Sequence, residues 1–205
     1  MTVKFLVFLS VFTGWVNTHA QDTIYYQTGE IKSVSVKKEH NWTLRIHYYP
    51  GGMKSAEFVF RYDQLDSIQL YFNPSGVIIA RENWEHGSLE DTAYYFHEDG
   101  MLERKGVFRN SLYDGLWAFY YPSGQLRQEG SYKDGLPHGL WMEYAENGSV
   151  RQEGLYKAGK ESGLWRFFDD LGNPTFEGHY KDGERVGTWY FFKRNGKKKV
   201  WKRFD

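Results

Sequence analysis

Six histidines follow the first twenty residues of this 205-residue chain: His40, His47, His86, His97, His138 and His179. None of them pair at the spacing that metal ligation requires. His138 falls in a turn, at a slot where other parts of the chain carry Ser162 or Val186. Glu98-Asp99 beside His97 has the composition of a small acidic site, yet the equivalent slot elsewhere reads Pro122-Ser123 and Glu146-Asn147, so it reads as a hairpin tip. Glu129, Glu153 and Glu177 recur at one interval, with Arg127 and Arg151 two residues before the first two. On a strand these columns share a face and form a charge ladder. General acid and base catalysis needs two carboxyls in unlike environments, whereas a repeated column offers nearly the same environment each time. An enzyme would need one unit whose polar residues break the columns, and no unit stands out that way. No nucleophile elbow, Walker loop or dinucleotide fingerprint is present. The expectation is a protein without catalytic residues, cofactor or metal.

Two groups of residues are candidates for binding. Trp117, Trp141, Trp165 and Trp189 stand 24 residues apart, about 10 Å apart along a sheet if each interval holds two strands. Exposed, they would stack on sugar rings or hold a peptide; buried, they would form core, which is the preferred reading. Trp117 and Tyr120 lie an odd number of residues apart, so a regular strand puts them on opposite faces, an inference that a bulge near the strand start would remove. The second group is the basic run from Lys193 to Arg203, with seven Lys or Arg, and Lys197, Lys198 and Lys199 at its centre. It would attract an anionic surface, or guard an edge strand against end-to-end pairing.

The elements that position these residues follow from an internal repeat. Gly52, Gly76, Gly100, Gly124, Gly148, Gly172 and Gly196 are spaced by 24, and Gly29 joins them after one 23-residue step, giving eight units. Four residues before each of these glycines stands an aromatic: Tyr25, Tyr48, Phe72, Phe96, Tyr120, Tyr144, Phe168 and Phe192. Eight residues after it stand Phe60, Trp84, Phe108, Tyr132, Tyr156, Tyr180 and Phe204. Turn residues such as Pro122-Ser123-Gly124 and Lys133-Asp134-Gly135 bound the aromatic stretches, so each unit reads strand, turn, strand, turn. The Asp-Gly and Asn-Gly pairs at Asp99, Asp134, Asn147, Asp182 and Asn195 are hairpin turns. The predicted fold is all-β: an elongated, twisted antiparallel sheet of sixteen strands in tandem hairpins. Stacking neighbours buries aromatic faces that a lone hairpin cannot.

Composition agrees. Aromatic residues make up 19% of the chain and glycine contributes 22 residues, while cysteine is absent, so packing rather than disulfides or thiolate metal sites must hold it. Lys plus Arg and Asp plus Glu are equal at 26 each, which leaves no overall field for nucleic acid. Met1 to Lys4 is basic, Phe5 to Val16 is apolar, and Thr18-His19-Ala20 resembles a signal-peptidase site. Residues 1–20 are therefore expected to be a cleavable leader directing the chain to the periplasm or exterior. Residues 21–105 form divergent repeats, and residues 106–205 form regular ones with a basic cap.

The string Glu129-Gly130-Ser131-Tyr132-Lys133-Asp134-Gly135, then His138-Gly139-Leu140-Trp141, Glu143-Tyr144 and Glu146-Asn147-Gly148, resembles the variant MORN repeat of bacterial proteins. Many of those carry the label of YwqK-type toxin-antitoxin antitoxin. The likeness recurs at Glu153 to Gly172 and Glu177 to Gly196, is recognisable at Gly106 to Gly124, and fades toward the N-terminus. It implies a β-hairpin array used for binding, of proteins in some cases and of membrane lipid in others, and brings no catalytic residues. The leader departs from a cytoplasmic antitoxin. The expected partner is a protein or an envelope polymer, with peripheral membrane contact through the basic terminus as the alternative.

Overall fold

The computed structural model describes residues 19–205. The expected leader lies outside them, apart from His19 and Ala20, which open the first strand. Eighteen strands follow in order: β1 (His19–Tyr25), β2 (Ile31–Lys38), β3 (Trp42–Tyr48), β4 (Lys54–Arg61), β5 (Gln64–Leu65), β6 (Ser67–Phe72), β7 (Ile78–Glu85), β8 (Ser88–Leu89) and β9 (Asp91–Phe96). The second half comprises β10 (Leu102–Arg109), β11 (Leu112–Tyr120), β12 (Leu126–Lys133), β13 (Leu136–Tyr144), β14 (Val150–Lys157), β15 (Lys160–Phe168), β16 (Pro174–Lys181), β17 (Glu184–Phe192) and β18 (Lys198–Phe204). All belong to one antiparallel sheet. It is an open meander, because pairing passes from each strand to the next in sequence.

Sixteen strands were expected and eighteen are present because two are broken. Both β5 and β6 pair with β4, and both β8 and β9 pair with β7. The breaks fall at Asp66 and Glu90, immediately before Ser67 (φ 66°) and Asp91 (φ 60°). Ser67 and Asp91 occupy the same slot of the repeat as Gly115, Gly139, Gly163 and Gly187, which are left-handed too, at φ 59° to 78°. At that slot the strand bulges away from the strand before it. Lys105 pairs with Ala118 and Val107 with Asp114, so that Gly115, Leu116 and Trp117 face Gly106 alone. The left-handed turn is thus a property of the repeat. Glycine reaches it freely, and Ser67 and Asp91 reach it at a steric cost.

The turns fall into two rows of different backbone geometry. In one row the pairs Tyr62-Asp63, His86-Gly87, Asn110-Ser111, Asp134-Gly135, Ala158-Gly159 and Asp182-Gly183 have positive φ at both residues, the two-residue hairpin geometry that matches strand twist. In the other row only the glycine is left-handed, as at Gly100, Gly148 and Gly196. Asp99-Gly100, Asn147-Gly148 and Asn195-Gly196 therefore close longer turns, unlike Asp134-Gly135 and Asp182-Gly183. These longer turns are stapled along the array. Tyr26, Tyr49 and Tyr121 donate their hydroxyls to the carbonyls of Tyr48, Phe72 and Tyr144 in the next unit, at 2.7 to 2.9 Å. His97 holds the same slot and meets the carbonyl of Tyr120 at 3.3 Å.

Candidate functional site

The four tryptophans are buried, with Trp117 and Trp189 at 0% and 1% exposure and Trp141 and Trp165 at 5% and 4%. A single sheet hides so large a side chain by laying it flat on a neighbouring backbone. Gly106, Gly130, Gly154 and Gly178 lie beneath the indoles of Trp117, Trp141, Trp165 and Trp189 respectively, and a Cβ on any of them would overlap the ring. Each indole also donates a hydrogen bond to the strand it covers. Trp117 Nε1 reaches the carbonyl of Val107 at 3.0 Å, Trp141 that of Ser131 at 3.1 Å, and Trp165 and Trp189 those of Leu155 and His179 at 3.2 Å. These carbonyls lie beside the bulge, so the indole both fills the bulge and satisfies its backbone. Tyr132, Tyr156 and Tyr180 stand edge-on between successive tryptophans at centroid distances of 5.1 to 6.2 Å. A continuous ring layer results on one face. These tryptophans form the core, the reading preferred from the sequence, and their alternative role as an exposed binding platform is corrected.

In the divergent units this arrangement is replaced piece by piece. Gln69 stands 48 residues before Trp117, in the same column, and is fully buried. Its Oε1 accepts from the Val59 amide at 2.7 Å and its Nε2 donates to the Val59 carbonyl at 3.2 Å. The amide side chain thus serves the backbone that an indole serves elsewhere. One unit later the column holds Ala93, and the glycine slot beneath it holds Glu82. Small has replaced large and large has replaced small. Glu82 accepts from the hydroxyls of Tyr71 (3.1 Å) and Tyr95 (2.9 Å) and from the indole of Trp84 (3.0 Å). Burial, then the charge of Glu82, raise the pKa of both phenols well above the ordinary tyrosine value. The Arg104 guanidinium carbon lies 4.2 Å from the centroid of the Tyr95 ring, and its buried Nε has no hydrogen-bond partner among the described residues. A shallow hollow of about 440 Å3 opens here, lined by Tyr71, Glu82, Tyr95, Phe96, Glu98 and Glu103 among others. So one unit does interrupt the columns with polar residues, contrary to the sequence expectation. Gln69, Glu82 and Ala93 were visible in the alignment of units; only the pairing of slots 82 and 93 across the sheet gives them meaning.

The opposite face is built differently. Cross-strand partnership puts Leu140 with Leu155, Leu116 with Ser131 and Leu164 with His179. Leu116, Leu140 and Leu155 are 61%, 56% and 45% exposed. Two residues further along β12, β14 and β16, on the same face, stand Lys133, Lys157 and Lys181, all exposed and in no ion pair among the described residues. Two residues in the other direction stand Glu129, Glu153 and Glu177, whose charges are engaged. Glu129 accepts from the Tyr144 hydroxyl at 2.7 Å, Glu153 pairs with Arg166 at 3.0 Å, and Glu177 pairs with Lys198 at 2.6 Å. Burial and the bond to Glu129 push the Tyr144 phenol up to about 12. The charge ladder expected between Glu153 and Arg151 is corrected by this geometry, since Arg151 turns to Asp170 at 2.9 Å. Cross-strand neighbours lie closer than residues two apart on one strand.

The basic terminus does not converge on one surface. Lys198 and Arg203 pair with Phe192 and Thr188 on the leucine face, while Lys199 and Lys202 pair with Phe191 and Trp189 on the indole face. Lys198 is held by Glu177 and lies 4.3 Å from the Tyr190 ring centroid. The Lys197 amide closes the turn onto Asn195 Oδ1 at 3.1 Å. His138 lies within β13, opposite Ser131, because the two-residue turn at Asp134-Gly135 lets that strand start earlier than expected. Glu98-Asp99 is a hairpin tip, where Asp99 Oδ1 accepts from the Met101 amide at 2.9 Å. No group of three or more potential metal ligands occurs among the described residues.

The family described as MORN repeat variant matches three consecutive segments, residues 113–134, 137–158 and 161–182. Each begins at the start of a bulged strand and ends at the next two-residue turn. No curated protein matches the chain. Among solved structures, a chain of the crystal structure titled TcdB2-TccC3-Cdc42 is similar at 9% identity and a TM-score of 0.22 over 84% of this chain. This chain spans 13% of that chain's length.

Proposed function

We propose that this protein is an exported, non-catalytic repeat scaffold that binds a protein or an envelope polymer through the sheet face opposite its tryptophans. One observation carries the choice of face. From β11 to β15 the indole face is closed by its own rings, whereas the other leaves Leu116 and Leu140 more than half exposed beside lysines that are in no ion pair among the described residues. Clustered exposed apolar side chains rimmed by charge mark interaction surfaces. The three MORN-variant repeats support a binding role, and an antitoxin-like grip on a toxin is one form that protein binding would take. The basic leader-like start and apolar run of residues 1–20 support export.

The test is recovery of partners from the envelope fraction on immobilised chain. A partner recovered reproducibly by the wild type, and lost when Leu116 and Leu140 are both changed to Asp, is the expected result. Nothing reproducible, together with turnover of a defined substrate, would reverse the reading.

A further inference from the structure

We infer that the leucine face docks one acidic amphipathic helix of a partner protein, laid across strands β11 to β15. The inference rests on the binding role proposed above and names the occupant. Leu116, Leu140, Leu155 and Leu164 form an apolar line that crosses the strands. From β11 to β15 there are four strand spacings, about 19 Å. A helix rises about 1.5 Å per residue, so roughly 13 residues cover that line. An amphipathic helix presents an apolar stripe of that length to such a groove.

Charge fixes the rest of the chemistry. On one flank Lys133, Lys157 and Lys181 recur every second strand, about 10 Å apart, in no ion pair among the described residues, although Glu184 stands opposite Lys181 in the register. Residues seven apart on a helix are separated by about 10.5 Å, so carboxylates in a heptad column meet successive lysines. On the other flank the carboxylates of Glu153 and Glu177 are already neutralised by Arg166 and Lys198. They ask nothing of the partner on that side. Among the described residues there is no α-helix to lie on this face.

A stapled helical peptide of about 17 residues, with a leucine stripe and three glutamates in a heptad column along one edge, serves as the probe. Its twin carries lysines at those positions. Fluorescence anisotropy should show the full chain binding the glutamate peptide at least tenfold more tightly than the lysine peptide. Changing Lys133, Lys157 and Lys181 together to Glu should invert that order, a swap that simple damage to the fold cannot produce. Near-ultraviolet circular dichroism of the buried indoles checks that the triple variant is folded. Equal binding of the two peptides, or an order unchanged by the triple variant, overturns the inference. Binding to phosphatidylcholine vesicles containing phosphatidylserine without binding to either peptide overturns it in favour of a lipid surface. The envelope recovery experiment repeated with the triple variant separates the two claims. A partner kept by the variant overturns the docking face alone, and no partner for either chain overturns the binding role with it.

Discussion

Replacing Gly130 with Ala adds one methyl group and should cost far more than a surface glycine usually does. The position is not left-handed, so alanine meets no backbone penalty there. The new Cβ would instead lie 2.6 Å from Cγ of Trp141 and closer still to two other ring atoms. Backbone holds the glycine on both sides, paired with Trp117 and with Trp141, so the ring must lift. Lifting forfeits the bond from Trp141 Nε1 to the Ser131 carbonyl and leaves that carbonyl beside the bulge without its partner, a loss of about 1–3 kcal/mol. Overpacking in a close-packed layer adds about 1–3 kcal/mol. The expected result is a destabilisation of about 2–6 kcal/mol in urea unfolding, with weakened near-ultraviolet dichroism and red-shifted tryptophan emission. In a Trp141→Ala background the same Gly130→Ala change has no ring to displace and should cost less than about 0.5 kcal/mol. A cost below about 0.5 kcal/mol in the wild-type background, or an equal cost in both, would refute the account of glycine as the floor of the indole.

Gln69→Leu keeps side-chain bulk but strips both bonds to Val59, and should destabilise the chain by about 2–4 kcal/mol, read by urea titration; a neutral result would show that the amide is not replacing the indole. Glu82→Ala orphans the hydroxyls of Tyr71 and Tyr95 and should cost about 1–3 kcal/mol at neutral pH. The folded pKa of both phenols lies above the unfolded value, so their contribution is complete below about pH 10 and is lost as pH rises beyond it. Glu82→Ala removes part of that elevation, so the stability gap between variant and wild type should narrow in alkali; a gap that widens there contradicts the sign.

The columns of glycine and aromatic residues were legible because a translational repeat forces equal residues into equal environments, and eight of eight rings at the slot of Tyr120 left little room for another fold. The opposite facing of Trp117 and Tyr120 was legible, because the bulge ends at Trp117 and the strand beyond it pairs residue by residue. The bulge itself, where three residues face Gly106, was not. The row of stapling hydroxyls was also missed, since Tyr26, Tyr49 and Tyr121 share their slot with His97, Asn73 and Ala145, and a column of mixed residues carries no periodic signal. Glu82 escaped for a related reason. Its meaning depends on Ala93, eleven residues away, and only the sheet register shows that a carboxylate in the floor slot is admitted where the ring above it is gone. The turns divided by geometry rather than by dipeptide: Asp134-Gly135 and Asp99-Gly100 read alike but differ in the φ of the aspartate.

Every strand of the meander finds its hydrogen-bonding neighbour within the adjoining stretch of sequence. A chain wired this way has no distant closure to wait for, so the entropy lost in making each contact is that of a small loop. Order can spread from any nucleated unit to the one beside it, like a zip with many starting points. A lesion in one unit would then weaken a neighbourhood and leave remote units standing.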